Sequence, residues 1–286
     1  MAHVLDPRVT VGKVSLSVAS LERSLRYYQD NIGLRLFETG GGEALLGAGD
    51  TPLVHLRERA GARPARRMTG LYHFAIRVPS RLELARTIRH LAESEAPISG
   101  ASDHLFSEAL YLSDPDGHGI EIYRDRDRGG WYDGQGRMRV DTLPMDFDGV
   151  LGELQNDRSP WEGIHPETVM GHIHLHVADL PSTDRFYVGV LGFEKPPFAM
   201  ELPSASFVSA GGYHHHLGLN TWAGVGAPPP AEDTAHLLRY EILFPDQAAL
   251  SPVLARLDEA AIPHTGEAGG WLVRDPSQNA ILLRVA

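Results

Sequence analysis

The chain has 286 residues, no cysteine and a formal net charge of -11, with 42% hydrophobic and 22% charged residues. That supplies ample material for a core, excludes disulfides and thiolate metal sites, and argues against nucleic acid as a partner, because the charge repels phosphate backbones. No apolar run approaches the roughly 18 residues that span a bilayer, and Met1-Ala2-His3-Val4-Leu5-Asp6-Pro7 lacks a signal peptide's apolar stretch. A soluble cytoplasmic protein without a membrane partner is expected.

Residues 11–18 alternate as a strand, and a helix is predicted over 21–31, with Leu21, Leu25, Tyr28 and Ile32 at three- and four-residue spacing before Gly33 stops it. Strands at 34–38, 43–46 and 51–57 follow. After a basic loop, residues 57–69, the cycle restarts with a strand at 71–78, a helix at 81–94, and strands at 105–113 and 119–124. The next stretch, 126–167, has little periodicity and holds Trp131 and Trp161, so it reads as a linker or a lid. A third cycle comprises a strand at 170–177, a helix at 182–190 and strands up to Trp222. Past the loop with Pro228-Pro229-Pro230, a fourth has a strand at 238–244, a helix at 246–260, and strands at 269–274 and 279–285. The expectation is an α+β fold in which β-α-β-β-β occurs four times, with an N-terminal domain at 8–125 and a C-terminal domain at 168–286.

The halves repeat each other. Val11-Gly12-Lys13-Val14-Ser15-Leu16 and Met170-Gly171-His172-Ile173-His174-Leu175 share an apolar pattern, and Arg26-Tyr27-Tyr28…Ile32-Gly33-Leu34 matches Arg185-Phe186-Tyr187…Leu191-Gly192-Phe193. They differ where metal chemistry would reside, with Lys13 in one copy and His172 in the other.

This pattern resembles the vicinal oxygen chelate superfamily, which includes glyoxalase I, extradiol ring-cleaving dioxygenases and bleomycin-resistance proteins. Further hallmarks are Tyr111-Leu112-Ser113-Asp114-Pro115-Asp116-Gly117-His118-Gly119-Ile120-Glu121 and Gly211-Gly212-Tyr213-His214-His215-His216-Leu217-Gly218-Leu219-Asn220. Within it, these motifs look most like those of bacterial catechol-2,3-dioxygenases. The resemblance implies two tandem domains whose modules pair into curled-sheet cups, with ligands at fixed positions on the first and last strand of each module. Those positions hold Lys13; His73 and Glu121; His172; and Arg239 and Leu282. If each half forms its own cup, neither ligand set is complete. If module two pairs with module three, one cup holds His73, Glu121 and His172, two histidines and a carboxylate suited to Fe(II), with Mn(II) as the alternative. The crossed pairing is the expectation. Glu121 alternates with Ile120 and Ile122, and a carboxylate on an interior face is costly unless it is paired or metal-bound.

The same resemblance implies His215 as the catalytic histidine on the oxygen side, although the run His214–His216 leaves its position open by one. It implies Tyr111, ten residues before Glu121, as a hydrogen-bond donor to a substrate oxygen, and His104 as its companion. His216, Asn220 and Trp222 are candidates for substrate binding. The implied activity is extradiol cleavage of catechol or a substituted catechol, with a small aromatic substrate and O2 as partners. A glyoxalase-type isomerase or lyase and a metal-free binding protein are the alternatives. Oligomeric state is left open, a homo-oligomer included.

Overall fold

A computed structural model of the chain describes residues 4–198 and 202–286. The first module is β1 (Thr10–Val18), α1 (Leu21–Asp30), β2 (Arg35–Gly40), β3 (Glu43–Ala48) and β4 (Thr51–Glu58). After a two-residue strand, β5 (Arg63–Pro64), the second is β6 (Gly70–Arg77), α2 (Arg81–Glu93), β7 (Gly100–Asp103), β8 (Ser107–Ser113) and β9 (Gly119–Asp125). A short helix, α3 (Phe147–Gly152), lies in the connection between the halves. The third module is β10 (Val169–His176), α4 (Leu180–Asp184) with a π-helical extension over Arg185–Leu191, β11 (Ala205–Val208) and β12 (Leu217–Asn220). The fourth, preceded by β13 (Thr234–Ala235), is β14 (Leu237–Phe244), α5 (Gln247–Glu259), β15 (His264–Glu267), β16 (Gly270–Arg274) and β17 (Ala280–Val285). Ser20, Ser80, Asp179 and Asp246 cap the module helices by accepting a backbone N–H in the first turn.

Three local expectations are corrected. The strand predicted over 105–113 starts at Ser107, because Leu105 takes a left-handed φ of 70° in a turn that carries His104, and a further strand, β7, precedes that turn. The helix predicted over 182–190 begins at Leu180 and widens into a π-helix. In the third module, one expected strand shrinks to a single bridge between Glu194 and Ser209. Pro196 and Pro197 follow Glu194 closely, and neither has an N–H to extend the ladder.

The modules assemble across the halves. One sheet runs β15-β16-β17-β14-β1-β4-β3-β2, joining modules four and one; the other runs β11-β12-β10-β6-β9-β8-β7, joining modules three and two. Within each module the first strand pairs parallel with the last, while the seams between modules, β1–β14 and β6–β10, are antiparallel. Helices make the complementary links. Tyr28 of α1 donates its hydroxyl to Asp114 in the β8–β9 turn at 3.0 Å, and Tyr187 donates to Asp275 in the β16–β17 turn at 3.0 Å. Sheet seams therefore tie module one to four and two to three, whereas Tyr–Asp contacts tie one to two and three to four. A single apolar core runs beneath all four, from Val14 and Tyr28 through Phe74 and Ile122 to Ile173, Tyr187 and Ile281.

Each Tyr–Asp link is a buried hydrogen bond to a carboxylate, a kind that contributes about 1.5–3 kcal/mol. Tyr28→Phe is expected to lower unfolding free energy by about that amount in a denaturant titration. A change within about 0.5 kcal/mol would show that the link is not a structural tie.

Candidate metal centre and substrate cavity

Strand register assembles the centre. Ala75 of β6 lies opposite His172 of β10 on one side and Glu121 of β9 on the other, so the three form one row across the sheet. Residues in one row share a face, and Ala75 is small enough to leave the space between His172 and Glu121 open. His73, two residues before Ala75, faces the same way. The intervening Phe74, Ile76, Ile120, Ile122 and Ile173 enter the apolar core on the opposite face.

His73, Glu121 and His172 are all buried, and they are the group among the described residues whose donor atoms converge as metal ligands would. His73 Nε2 lies 3.0 Å and His172 Nε2 3.2 Å from Glu121 Oε2, and the two nitrogens are 3.3 Å apart. Donors at right angles around an ion with bonds of about 2.1 Å are about 3.0 Å apart, so the set fits one face of an octahedron. Burial would raise the Glu121 carboxyl, but His172 and His73 beside it hold it well below the usual range. Burial brings His172 down to about 4, opposed by Glu121. Both groups are thus kept in the deprotonated forms that bind metal. His172 Nδ1 has no hydrogen-bond partner, so packing against Tyr123 and His215 holds the ring.

The fourth equivalent position is vacant of a side chain. The register that sets Glu121 opposite Ala75 sets Gly218 of β12 opposite His174 of β10. A Cβ on Gly218 would lie 2.7 Å from His174 Cγ, so the His174 ring occupies the room a fourth ligand would need.

A cavity of about 490 Å³ opens over the three residues, with Tyr72, Phe106, Phe198, Phe207 and Trp222 among its walls. Of the other expected site residues, Tyr111, His104, His215 and Trp222 line it. His104 Nδ1 donates to the Asp141 carbonyl at 2.8 Å, which leaves Nε2 to accept from the Tyr111 hydroxyl at 2.7 Å. Burial and Glu121 push the Tyr111 hydroxyl far above its usual range, so it remains a donor. The His215 ring packs 4.1 Å from that of His172.

Two expected residues are not brought to the cavity. His216 turns to the other side, where its Nδ1 accepts the Ala210 N–H at 3.1 Å. Asn220 is buried in β12; its Oδ1 accepts from His176 Nδ1 at 2.7 Å and from the Trp222 N–H at 3.0 Å, so it anchors Trp222 from behind.

Sequence reasoning missed several wall residues. His174 shares the face of His172 by period two, a signal that was present. Phe198 and Phe207 carried none. The connection between the halves contributes Val140, Asp141 and Thr142 to the wall. It is pinned by Trp131 and Met138, which pack with Phe106 and Tyr213, and by Trp161, stacked on His90 at 4.2 Å.

Among the described residues, the other sheet holds no such set. The equivalent positions are Lys13, Arg239 and Leu282, as expected, together with His55, which stands on β4 where Glu121 stands on β9. These side chains are used up locally: Lys13 pairs with Glu241 at 3.2 Å, His55 contacts Glu43 at 3.1 Å, and Arg239 pairs with Glu267 at 2.7 Å.

Comparison with known proteins agrees with this architecture. Residues 10–122 match the profile of the Glyoxalase/Bleomycin resistance protein/Dioxygenase superfamily. Over 276 residues, 95% of each chain, the sequence is 42% identical to a protein of Bacillus subtilis (strain 168) named catechol-2,3-dioxygenase. The fold is similar to a solved structure from Bacillus subtilis subsp. subtilis str. 168, with TM-score 0.65, 13% identity, and 100% of this chain and 86% of that one covered. It is also similar to glyoxalase I from Zea mays, with TM-score 0.58, 16% identity and coverage of 96% and 92%. The chain belongs to the glyoxalase, bleomycin resistance protein and dioxygenase superfamily.

Proposed function

We propose that this protein is an extradiol ring-cleaving dioxygenase. It acts on catechol or a substituted catechol with O2 at a nonhaem Fe(II) centre, Mn(II) being the alternative ion, held by His73, Glu121 and His172. The observation that carries the reading is a buried set of two histidines and one carboxylate with no fourth side chain at Gly218, beside a cavity that can admit a chelating diol and O2. The relative named catechol-2,3-dioxygenase, 42% identical over 95% of the chain, supports the same chemistry. A glyoxalase-type site would call for a second carboxylate, and none can grow from Gly218. A metal-free binding protein would have no use for three buried donors on one point.

When bound, the ion supplies positive charge that favours the ionised diol and one-electron chemistry toward O2. The chain's residues do the rest. Tyr111, with its proton directed at His104 Nε2, sits beside the ligands to hydrogen-bond a substrate oxygen and to pass a proton to or from His104. The Asp141 carbonyl fixes the His104 tautomer that this exchange requires. His215, on the His172 side, serves the oxygen. Phe106, Phe198, Phe207 and Trp222 clasp an aromatic ring and shed water from it.

The protein supplied with Fe(II), catechol and air is expected to form a yellow ring-fission product, detected by absorbance. No colour with any catechol tested, despite bound iron, would overturn the reading. Glu121→Ala should lose metal, measured by elemental analysis, and keep its fold by circular dichroism. Leu282→Ala, at the equivalent position of the other sheet, should keep its metal and lose about 2–5 kcal/mol of stability. Tyr111→Phe should retain metal and lower kcat by about 10²-fold, the low end of general acid–base contributions; unaltered kcat would remove Tyr111 from the chemistry.

A further inference from the structure

His215 is the first of two adjacent histidines to meet the cavity, and the second, His214, stands behind it. In a regular strand, neighbouring side chains point to opposite faces. Residues 213–216 are not part of a strand, and here the two rings touch nitrogen to nitrogen, Nδ1 to Nδ1 at 2.8 Å. The far nitrogen of His214, Nε2, lies 2.9 Å from Asp125 Oδ1. Asp125 also accepts the Tyr213 hydroxyl, at 3.0 Å and 3.2 Å to its two oxygens, and Arg77 Nη1 at 3.0 Å.

Counting protons along this chain fixes their positions. An ionised carboxylate only accepts, so His214 Nε2 carries a hydrogen. His214 is fully buried between Phe106, at 4.4 Å, and Tyr213, at 4.0 Å between ring centroids, and the Asp125 charge beside it is already matched by Arg77 at 3.0 Å, so an imidazolium would add a net buried positive charge, which is costly. The ring is therefore neutral and its Nδ1 is a bare acceptor. The 2.8 Å contact needs one hydrogen, which only His215 Nδ1 can provide. A neutral His215 that carries its hydrogen on Nδ1 has a lone pair on Nε2, and that atom has no hydrogen-bond partner among the described residues.

We infer that Asp125 and His214 are positioning residues that lock His215 in the Nδ1–H tautomer, so that its Nε2 meets the cavity as a hydrogen-bond acceptor. The consequence for catalysis rests on the dioxygenase reading: His215 then accepts a hydrogen from a group bound on the His172 side instead of donating one at the outset. The tautomer itself does not depend on that reading.

Two variants of His214 separate positioning from packing. His214→Phe keeps an aromatic ring against Phe106 and Tyr213 and removes the acceptor. His214→Asn loses the ring but puts an amide oxygen near the old Nδ1, where it can accept from His215. A packing role ranks Phe above Asn; positioning ranks Asn above Phe. With catechol and the iron-loaded enzyme, His214→Phe should lower kcat about 10–100-fold with KM little changed, and His214→Asn should recover most of that loss.

The same question is read without turnover by two-bond ¹H–¹⁵N correlation spectra of the full chain, labelled at histidine and loaded with diamagnetic zinc. His215 should appear as the Nδ1–H tautomer in the parent and in His214→Asn, and shift toward Nε2–H in His214→Phe. An Nε2–H tautomer in the parent, or Phe better tolerated than Asn, overturns the inference. If the parent shows the Nδ1–H tautomer but cleaves no catechol, the functional reading fails and the positioning stands.

Discussion

The antiparallel seam between β6 and β10 is the contact on which the rest depends. Among the described residues it is the only place in the seven-stranded sheet where the two halves of the chain hydrogen-bond as strands, and its register sets His172 beside Ala75 and His174 beside His73. Side chains alternate with period two, so a slip of one residue would carry His172 into the apolar core and bring Ile173 to the cavity. Burial supplies the restoring force: Phe74, Ile76, Ile173 and Leu175 are fully enclosed on the other face. The apolar residues thus fix the position of the polar ones. A carboxylate as buried as Glu121, 3% exposed, is tolerated because two imidazoles meet it in the same register.

One backbone plan is used four times, and among the described residues one set of donors converges on it. In the eight-stranded sheet, the positions equivalent to the donors are occupied by Leu282 and by side chains paired with Glu241, Glu43 and Glu267. The Tyr28–Asp114 and Tyr187–Asp275 links recur at equivalent points of both halves and carry no such asymmetry. They keep the two sheets in a fixed relation while the sites on them diverge.

Much of this was legible in the sequence, for reasons that particular residues make clear. The modules showed because strand and helix periods are strong signals, and the apolar stripes of 14–18, 74–78 and 173–177 mark one face each. The trio His73, Glu121 and His172 could be found because the repeat aligns equivalent strand positions, and only the crossed pairing completes a ligand set. His55 sat at an equivalent position and was overlooked. Legibility ended where the backbone leaves a regular period. The turn at Leu105 moved the start of one strand to Ser107 and set the short β7, which had no clear alternation, ahead of it, and proline cut the third module short. His216 and Asn220 were misplaced because residues 213–216 do not alternate as a strand, so their facing could not be counted from the neighbours. For the same reason the contact between His214 and His215, adjacent in sequence, had no periodic signature. The connection between the halves gave no pattern because individual anchors, Trp131, Met138 and Trp161, hold it in place of a repeating stripe.

On the proposed reading, a chain of four similar modules builds one metal centre at the seam between its halves. Anomalous diffraction from crystals of the iron-loaded protein, recorded at the iron absorption edge, tests it most directly. One strong peak per chain is expected, within bonding distance of His73 Nε2, Glu121 and His172 Nε2, with no peak among Lys13, His55 and Arg239. A peak in the second sheet, or iron bound away from these three residues, would contradict it.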